Sequence, residues 1–183
     1  GYRDEADVRL ATDRARARAL LAEAGYGDGF DLRLRCPNDR YINDEAICTA
    51  AVAMLQQIGI DATLDAVPVS VYWDELRQGD FDMYLLGWSL GNAAFPTFHE
   101  SFWHSRNSLN NNPDGNNAPQ YQSDEFDAAA DAIIAAATEE EAFEAMSEAE
   151  RILATDLPYI VLFDTPITES FNSELSFPFT STL

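Results

Sequence analysis

A G-x-S-x-G pattern, Gly87-Trp88-Ser89-Leu90-Gly91, follows an apolar run and is the strongest catalytic signal in the sequence. In α/β-hydrolases this pattern forms the turn that exposes a nucleophilic serine, here Ser89, and a histidine accepts the serine proton. Hydrolases of that fold supply the histidine late in the chain, whereas His99 and His104 follow Ser89 closely. Pro96 also interrupts the helix that should follow the turn. A serine hydrolase is therefore the alternative function and not the preferred one.

His99, Glu100 and His104 invite comparison with a zinc-binding helix. The H-E-x-x-H motif places its histidines four residues apart on one helix face, whereas these two are five apart and point in different directions. We therefore interpret them as polar residues on a partly exposed amphipathic helix, and we predict no metal site. The apolar members of that helix are Phe98, Phe102 and Trp103.

The two cysteines, Cys36 and Cys48, lie twelve positions apart. They form no C-x-x-C motif, so the sequence supports neither a zinc site nor a thioredoxin-like redox site. Two alternatives remain, because spacing alone does not establish the geometry that a disulfide requires. Either the cysteines form one disulfide in an oxidising compartment, or they are two small buried side chains.

Composition and the placement of glycine argue against several ligand classes. The 11 basic residues, all arginine, are outnumbered by 32 acidic ones, which gives a formal net charge of -21. Such a surface repels polyanions, so nucleic acid is not an expected partner.

Gly25, Gly27 and Gly29 follow a predicted helix and precede a predicted strand, the reverse of the order in a dinucleotide-binding loop. No cofactor is predicted. No stretch approaches the roughly 18 apolar residues that would cross a bilayer.

The elements that would position these residues alternate between helix and strand in the first half of the chain. In the first strand Phe30, Leu32 and Leu34 alternate with polar residues, which predicts one buried face. The third helix is expected to carry Val71, Trp73 and Leu76 as its apolar residues. The predicted helices run from Arg14 to Ala24 after the cap Asp13, from Asn43 or Asp44 to Gly59, and from Ser70 to Gly79; the predicted strands cover 30–35, 60–66 and 81–86.

The lengths of these connections predict three parallel strands joined by right-handed crossovers. Parallel strands end at one edge of their sheet, and open parallel sheets bind ligands there. That edge receives the loops Cys36–Tyr41 and Trp88–Phe95, together with Val67 and Pro68. We expect Arg40 and Trp88 to lie together at this edge.

The second half of the chain is predicted to be mainly helical. Residues 107–122 are rich in Asn, Pro and Gly, which predicts an exposed excursion. Ser123 is the expected cap of a helix that buries Phe126, Ala130 and Ile133, and Thr138 with Glu141 forms the capping box of a second. The second helix is expected to bury Phe143, Met146 and Leu153, and a strand is predicted over Tyr159–Phe163.

Several short segments share their order and spacing with one known family, from about Thr12 to Phe163. They are Ala19–Tyr26 with Asp28–Phe30, Cys36–Tyr41, Met54–Leu55 with Ile58–Ile60, Gly79–Met83, Gly87–Trp88, Arg151–Ala154 and Leu157–Ile160. Together they resemble the C-terminal lobe of the extracellular solute-binding proteins of family 5, the receptors for dipeptides, oligopeptides, nickel chelates and related solutes in ABC importers.

The resemblance implies an α/β fold, namely a type II periplasmic-binding-protein lobe with three layers and a mostly parallel central sheet. It implies that residues 13–165 form the solute-binding lobe, that 1–12 are a linker, and that 166–183 lead back toward a larger second lobe. The implied function is capture of a peptide-like or other small solute between two lobes, without catalysis, for hand-over to a membrane permease and its ATPase. The implied location is the periplasm or the extracellular face of a bacterial membrane.

The resemblance also implies roles for particular residues. In family members that bind dipeptides, an arginine after the first strand pairs with the peptide carboxylate, and Arg40 occupies the similar loop with a one-residue offset. The alternative is a surface arginine, or one paired with Asp39 or Asp44. An acidic residue that holds the peptide ammonium in those receptors is replaced here by Ala94, which argues against a dipeptide with a free amine. The candidate ligand-binding residues are Asn38, Arg40, Tyr41, Trp88, Ser89 and Asn92.

Overall fold

The computed structural model describes residues 11–88 and 100–163. Most of the predicted linker and all of the predicted tail at 166–183 lie outside these residues. The helices are α1 (Arg14–Glu23), α2 (Asp44–Gln56), α3 (Val69–Gln78), α4 (Asp124–Ala135) and α5 (Glu139–Asp156); the strands are β1 (Asp31–Pro37), β2 (Asp61–Val67) and β3 (Met83–Tyr84); a 3-10 turn covers Ser105–Asn107.

The three strands form one parallel sheet in the order β2-β1-β3, which confirms the predicted α/β class. β1 pairs with β2 along its whole length, from Asp31 opposite Asp61 to Pro37 opposite Val67. β3 is shorter than the predicted strand over 81–86, since only Met83 and Tyr84 pair with β1. The parallel order brings the C-terminal ends of all three strands, at Pro37, Val67 and Tyr84, to one edge of the sheet. We call this edge, with the loops that follow the strands, the rim.

One face of the sheet packs against α2 and forms the first core. Its buried residues are Leu34, Cys36, Cys48, Val52, Ile60 and Ala62. Cys36 at the end of β1 and Cys48 in α2 are joined by a disulfide and are almost fully buried. Of the two alternatives that the sequence left open, the structure contains the disulfide, which ties α2 to the end of β1.

The other face of β1 carries a buried charge, so the prediction of a single buried face is wrong. Arg35 is only 3% exposed. Its guanidinium lies 2.6 Å from the Glu75 carboxylate on α3 and 3.2 Å from the Asp65 carboxylate on β2. β1 is the central strand, and a central strand of a parallel sheet is covered on both faces. Since α2 and α3 pack on opposite faces, the sheet is the middle of three layers.

Helix ends in the first half of the chain follow local hydrogen bonding. The Asp13 carboxylate accepts from the Arg16 N–H and caps α1 as predicted. Neither alternative for α2 is an ordinary cap, because Asn43 adopts a left-handed conformation and makes no side-chain cap bond. The Asp44 side chain instead bonds the preceding loop. The predicted apolar stripe of α3 is partly wrong: Tyr72 is buried with Leu76, whereas Val71 is exposed.

The second core lies between α4 and α5. Its buried residues are Phe102, Trp103, Phe126, Ala129, Ala130, Ile133, Ala149, Ile152 and Leu153. The predicted caps form, since Ser123 accepts from the Phe126 N–H and Thr138 accepts from the Glu141 N–H. Glu141 reaches back to the Ala137 N–H, one residue beyond the position expected in a capping box. Phe143 and Met146, predicted to be buried, are only partly so.

The polar segment 107–122 is anchored from within, so the prediction of an exposed excursion is wrong in part. Ser108 and Asn117 are fully buried. The Asn117 amide donates to the Tyr121 carbonyl at 2.8 Å and accepts from the Tyr121 N–H at 3.0 Å. A buried amide that satisfies backbone groups in this way replaces the apolar contacts that the segment lacks.

The strand predicted over Tyr159–Phe163 does not form within the described residues. Tyr159 stacks on Trp103 with ring centroids 4.7 Å apart, and the next four residues are largely exposed. β propensity alone did not produce a strand here, because residues 159–163 have no partner strand in the described part of the chain.

The prediction that His104 is partly exposed is wrong. His104 is buried, and its ring nitrogens lie 3.3 Å from Asp127 and 3.4 Å from Asp131.

The ion pair beneath the sheet gives a stability prediction. Glu75→Ala leaves the buried Arg35 with a weaker partner in Asp65, and we expect it to lower the free energy of unfolding by about 2 kcal/mol. The matched control is Asp74→Ala, an exposed acid on the same helix, for which we expect a change within about 0.5 kcal/mol. Chemical denaturation measures both variants, and equal effects would contradict a stabilising role for the pair.

Candidate functional site

A single tyrosine joins the two loops that the sequence placed at the rim. The Tyr41 hydroxyl donates to the Gly87 carbonyl at 2.9 Å and accepts from the Gly87 N–H at 2.9 Å. The loop after β1 and the chain after β3 are therefore fixed to each other, as their parallel order allows. Trp88 is the next residue in the chain after Gly87, so it lies directly beyond this contact.

Arg40 lies on an aromatic surface at the rim. Its Nε donates to the Tyr41 hydroxyl at 2.7 Å. Its guanidinium carbon lies 4.7 Å from the centre of the Trp73 ring and 5.1 Å from that of the Tyr41 ring, within the range of cation-π attraction. Across residues 11–88 and 100–163, Arg40 makes no ion pair. Arg35, by contrast, pairs closely with Glu75 and Asp65 and also lies 3.9 Å from the Asp80 carboxylate. The remaining donors of Arg40 therefore have no carboxylate partner in that part of the chain.

The carboxylates that could have paired with Arg40 bond to backbone groups instead. The Asp39 carboxylate accepts from the Val69 N–H at 2.7 Å, at the start of α3. The buried Asp44 carboxylate accepts from the N–H groups of Arg40 and Tyr41, each at 3.0 Å, and from that of Glu45 at 2.9 Å. The two acids fix the path of the loop, and they leave the Arg40 side chain without an ion pair among the described residues.

The charge of Asp44 is stabilised by these bonds. Burial alone would raise the pKa of Asp44, but the hydrogen bonds from the backbone of Tyr41, Arg40 and Glu45 outweigh it and hold the pKa below the ordinary aspartate value. The loop is therefore stabilised by an ionised carboxylate.

Gly87 has a packing role that accounts for its presence. A Cβ at Gly87 would lie 3.0 Å from Cε1 and 3.2 Å from Cζ of the Tyr41 ring, closer than ordinary contact. The close approach of Tyr41 thus favours glycine as the first residue of the G-x-S-x-G pattern, without any reference to a nucleophile. This removes part of the support for the hydrolase interpretation.

The other candidate residues are placed as follows. Asn38 is exposed at the end of β1, and its N–H donates to the Val67 carbonyl at 3.1 Å. Trp88 is 51% exposed and packs edge-on against Phe102, with ring centroids 4.8 Å apart, so it joins the rim to the second core. Ser89 and Asn92, and with them Ala94 and His99, lie outside the described residues.

The sequence did not identify Trp73 as part of the site. It was predicted only as an apolar residue of α3, yet its ring lies beneath Arg40. The missed signal was position: Trp73 is in the first turns of the helix that begins at the rim after β2. The neighbouring Tyr72 is buried and donates to the Leu85 carbonyl, and burial raises the pKa of Tyr72 well above its usual value. Tyr72 thereby holds α3 against the end of β3.

Neither a catalytic base nor a metal centre is assembled near this site from the residues described. The Nδ1 of the buried His104 accepts from the Arg106 N–H, and both ring nitrogens face carboxylates, so His104 has a structural environment. No cluster of three or more His, Cys, Asp or Glu suited to a metal ion occurs between 11 and 88 or between 100 and 163.

A shallow depression lies at the opposite edge of the sheet, where β1 and β2 begin. It is lined by Asp28, Gly29, Phe30, Asp31, Gln56, Gly59, Ile60 and Asp61. Gly29 is explained by its backbone and by packing, since it has φ +82 and a Cβ there would overlap the Gly59 carbonyl oxygen, whereas Gly59 is explained by its φ of +99 alone. Because ligands of open parallel sheets bind at the other edge, we place the candidate site at the rim.

Comparison with known proteins identifies one family. Residues 1–110 match the model of the family described as bacterial extracellular solute-binding proteins, family 5 middle. The periplasmic oligopeptide-binding protein OppA of Haemophilus influenzae is 28% identical over 158 residues, which are 85% of this chain and 28% of the relative. Heme-binding protein A of the same organism is 27% identical over 158 residues, 81% of this chain and 27% of the relative.

A solved structure shows the same fold. The periplasmic binding protein DppA of Helicobacter pylori, in complex with the peptide STSA, superposes with a TM-score of 0.73 at 24% identity, covering 81% of this chain and 28% of that one. This confirms the predicted periplasmic-binding-protein lobe. The chain spans less than a third of the length of each of these relatives. Among the described helices, none has both the length and the apolar character needed to cross a membrane.

The Asp44 bonds give a prediction about stability and pH. Asp44→Asn should lower the free energy of unfolding by about 1–3 kcal/mol near neutral pH, because an amide offers one neutral acceptor where the carboxylate offers two charged ones. The folded-state pKa of Asp44 is lowered, so the contribution of the carboxylate is present above the ordinary aspartate pKa and is lost as the pH falls through the folded value.

Chemical denaturation at a series of pH values checks this. The difference between wild type and Asp44→Asn should shrink as the pH falls through the acidic range, and a difference independent of pH would contradict the assignment. Asp74→Asn, which removes one exposed charge, is the control for the change in net charge.

Proposed function

Because the chain belongs to the bacterial extracellular solute-binding proteins of family 5, we propose that it is a ligand-binding lobe whose rim binds a small solute through a carboxylate. The observation that carries the proposal is Arg40, which is held by Tyr41 and Trp73 and makes no ion pair with the described residues. A guanidinium recognises a carboxylate through two parallel hydrogen bonds. The exposed ring of Trp88, which follows Gly87 in the second loop of the rim, is the proposed apolar contact for the same solute.

We propose that residues 13–165 form one lobe of a longer, two-lobed receptor. The length of the relatives supports this, since the chain spans only 28% of the oligopeptide-binding protein of Haemophilus influenzae. The second lobe would cover the rim and enclose the solute. Small-molecule sites enclose most of the ligand surface. An open edge that carries Arg40 and an exposed tryptophan is too exposed to solvent to bind a small molecule tightly by itself.

The proposed solute is peptide-like or another small molecule that carries a carboxylate. Among the relatives, the Haemophilus protein is named for oligopeptides and the Helicobacter structure holds the peptide STSA. The sequence at Ala94 offers no acid for an ammonium group. Solutes whose amine is blocked or absent therefore fit the site better than dipeptides with a free amine.

The proposed cellular role is capture of the solute outside the cytoplasm and delivery to the permease and ATPase of an ABC importer. The location rests on the family, which is described as bacterial and extracellular, and the predicted location is confirmed at that level. The role involves reversible binding and no covalent step. The formal net charge of -21 again makes nucleic acid a poor partner.

A ligand screen with an arginine variant tests the proposal. The full-length receptor is screened by thermal melting against peptides, blocked peptides, opine-like acids and metal chelates, since a ligand that binds the folded state raises the melting temperature. For a solute with a carboxylate, Arg40→Gln should weaken binding by about 10- to 100-fold, as expected for loss of a charged hydrogen-bond pair.

Arg77→Gln is the matched control, because Arg77 is exposed near the far end of α3. It should leave affinity unchanged. Equal affinity of wild type and Arg40→Gln for every bound solute would exclude Arg40 as the carboxylate contact.

Ser89→Ala separates binding from the alternative hydrolase. A binding lobe should show no serine-dependent turnover of p-nitrophenyl esters, so wild type and Ser89→Ala should be equally inactive. Turnover by the wild type that Ser89→Ala abolishes would refute the binding-only function, because a nucleophilic serine is essential to that mechanism.

A further inference from the structure

We infer that Tyr41 is a positioning residue that fixes the direction in which Arg40 presents its guanidinium, and that its hydroxyl does not itself contact the solute. The inference rests on the proposed function, in which Arg40 binds a carboxylate. It changes the expected role of Tyr41 from a ligand contact to a support for one.

The hydrogen-bonding capacity of the Tyr41 hydroxyl is fully used. A phenol offers one donor and two acceptor sites. The hydroxyl donates to the Gly87 carbonyl, and it accepts from the Gly87 N–H and from the Arg40 Nε–H, at 2.9, 2.9 and 2.7 Å. No site on this oxygen remains for a solute, so a direct polar contact would require one of the three bonds to break.

One of these bonds, together with the Trp73 ring, determines the orientation of Arg40. One edge of the guanidinium, at Nε, is held by the Tyr41 hydroxyl, and one face lies over Trp73 at 4.7 Å. A planar group fixed at one edge and on one face retains its outer edge, at Nη1 and Nη2, for a ligand. That edge matches the two oxygens of a carboxylate. Arginine has many rotamers. Holding Arg40 in one orientation before binding reduces the conformational entropy that is lost when the carboxylate binds.

Tyr41 also fixes Arg40 relative to the second loop. Both backbone groups of Gly87 bond to the hydroxyl, and the ring packs so closely that a Cβ at Gly87 would lie 3.0 Å from it. Trp88 follows Gly87 in the chain. Tyr41 therefore links the loop that carries Arg40 to the segment that leads into Trp88, which makes Tyr41 a determinant of where the carboxylate lies along the rim.

The purely structural alternative is that Tyr41 only joins the two loops. Both roles predict a loss of stability for Tyr41→Phe, so stability does not distinguish them. A positioning role additionally predicts that the Arg40 Nε–H is protected from solvent and that carboxylate binding at Arg40 depends on the tyrosine hydroxyl.

The test uses the 183-residue chain and acetate as the carboxylate probe, observed through the arginine side-chain N–H signals in NMR. In the wild type, acetate should shift the Arg40 signals saturably and acetamide should not. Tyr41→Phe should weaken acetate binding at Arg40 by about 3- to 10-fold, the effect expected from loss of one orienting hydrogen bond. Tyr26→Phe is the control, since Tyr26 is exposed and packs with Phe30 at the opposite edge.

The outcomes separate this inference from the proposed function. If acetate fails to shift Arg40 in the wild type, the carboxylate contact itself is wrong. If acetate binds wild type and Tyr41→Phe equally, the contact stands and the positioning role is refuted. Should Tyr41→Phe fail to fold, the wild type still decides, because the Arg40 Nε–H must exchange with water more slowly than that of Arg77. Equal exchange of the two would overturn the inference.

Discussion

The central position of β1 is the constraint on which the rest of the structure depends. A central strand of a parallel sheet is covered on both faces. Beyond its end, the backbone groups lose their partners in the sheet and need other hydrogen bonds. On one face the cover is apolar and is tied by the disulfide between Cys36 and Cys48. On the other it is an arginine held by two carboxylates, which places α3 against the sheet and thereby puts Trp73 at the rim. The site begins where this strand ends.

The loop after β1 shows how backbone satisfaction and recognition are divided among neighbouring residues. Two of its acids, Asp39 and Asp44, accept from four backbone N–H groups in total and hold the loop in one path. Because those carboxylates are engaged, they do not neutralise the arginine between them. The loop therefore presents a guanidinium that makes no ion pair within residues 11–88 and 100–163, in a strongly acidic protein. A rule that pairs adjacent opposite charges in the sequence fails here, because the carboxylates of Asp39 and Asp44 accept hydrogen bonds from backbone N–H groups instead.

The sequence was sufficient for those features that depend on period and connectivity. The order of elements, the parallel sheet, the meeting of the two loops, and the caps at Asp13, Ser123 and Thr138 follow from apolar spacing and turn chemistry. Burial of Arg35 was not predictable from alternation, because alternation does not reveal which strand is central. Asn117 looked like a loop residue, since composition does not show that an amide satisfies buried backbone groups. The roles of Trp73 and of the Tyr41 hydroxyl could not be predicted from the sequence, because they depend on how a helix end faces a loop that is distant in sequence.

The charge balance sets the manner in which this rim can recognise an anion. With 32 acidic and 11 basic residues, the field of the whole chain repels a carboxylate, so long-range steering cannot account for its capture. Screening limits that repulsion to about 8–10 Å at physiological salt, and within that distance the geometry of individual groups decides. An arginine fixed on Trp73 and bonded to Tyr41 presents a short-range, directional donor pair that a mobile surface arginine lacks. Selectivity for a planar anion then arises from orientation at contact, which is why the residues that hold Arg40 matter as much as its charge.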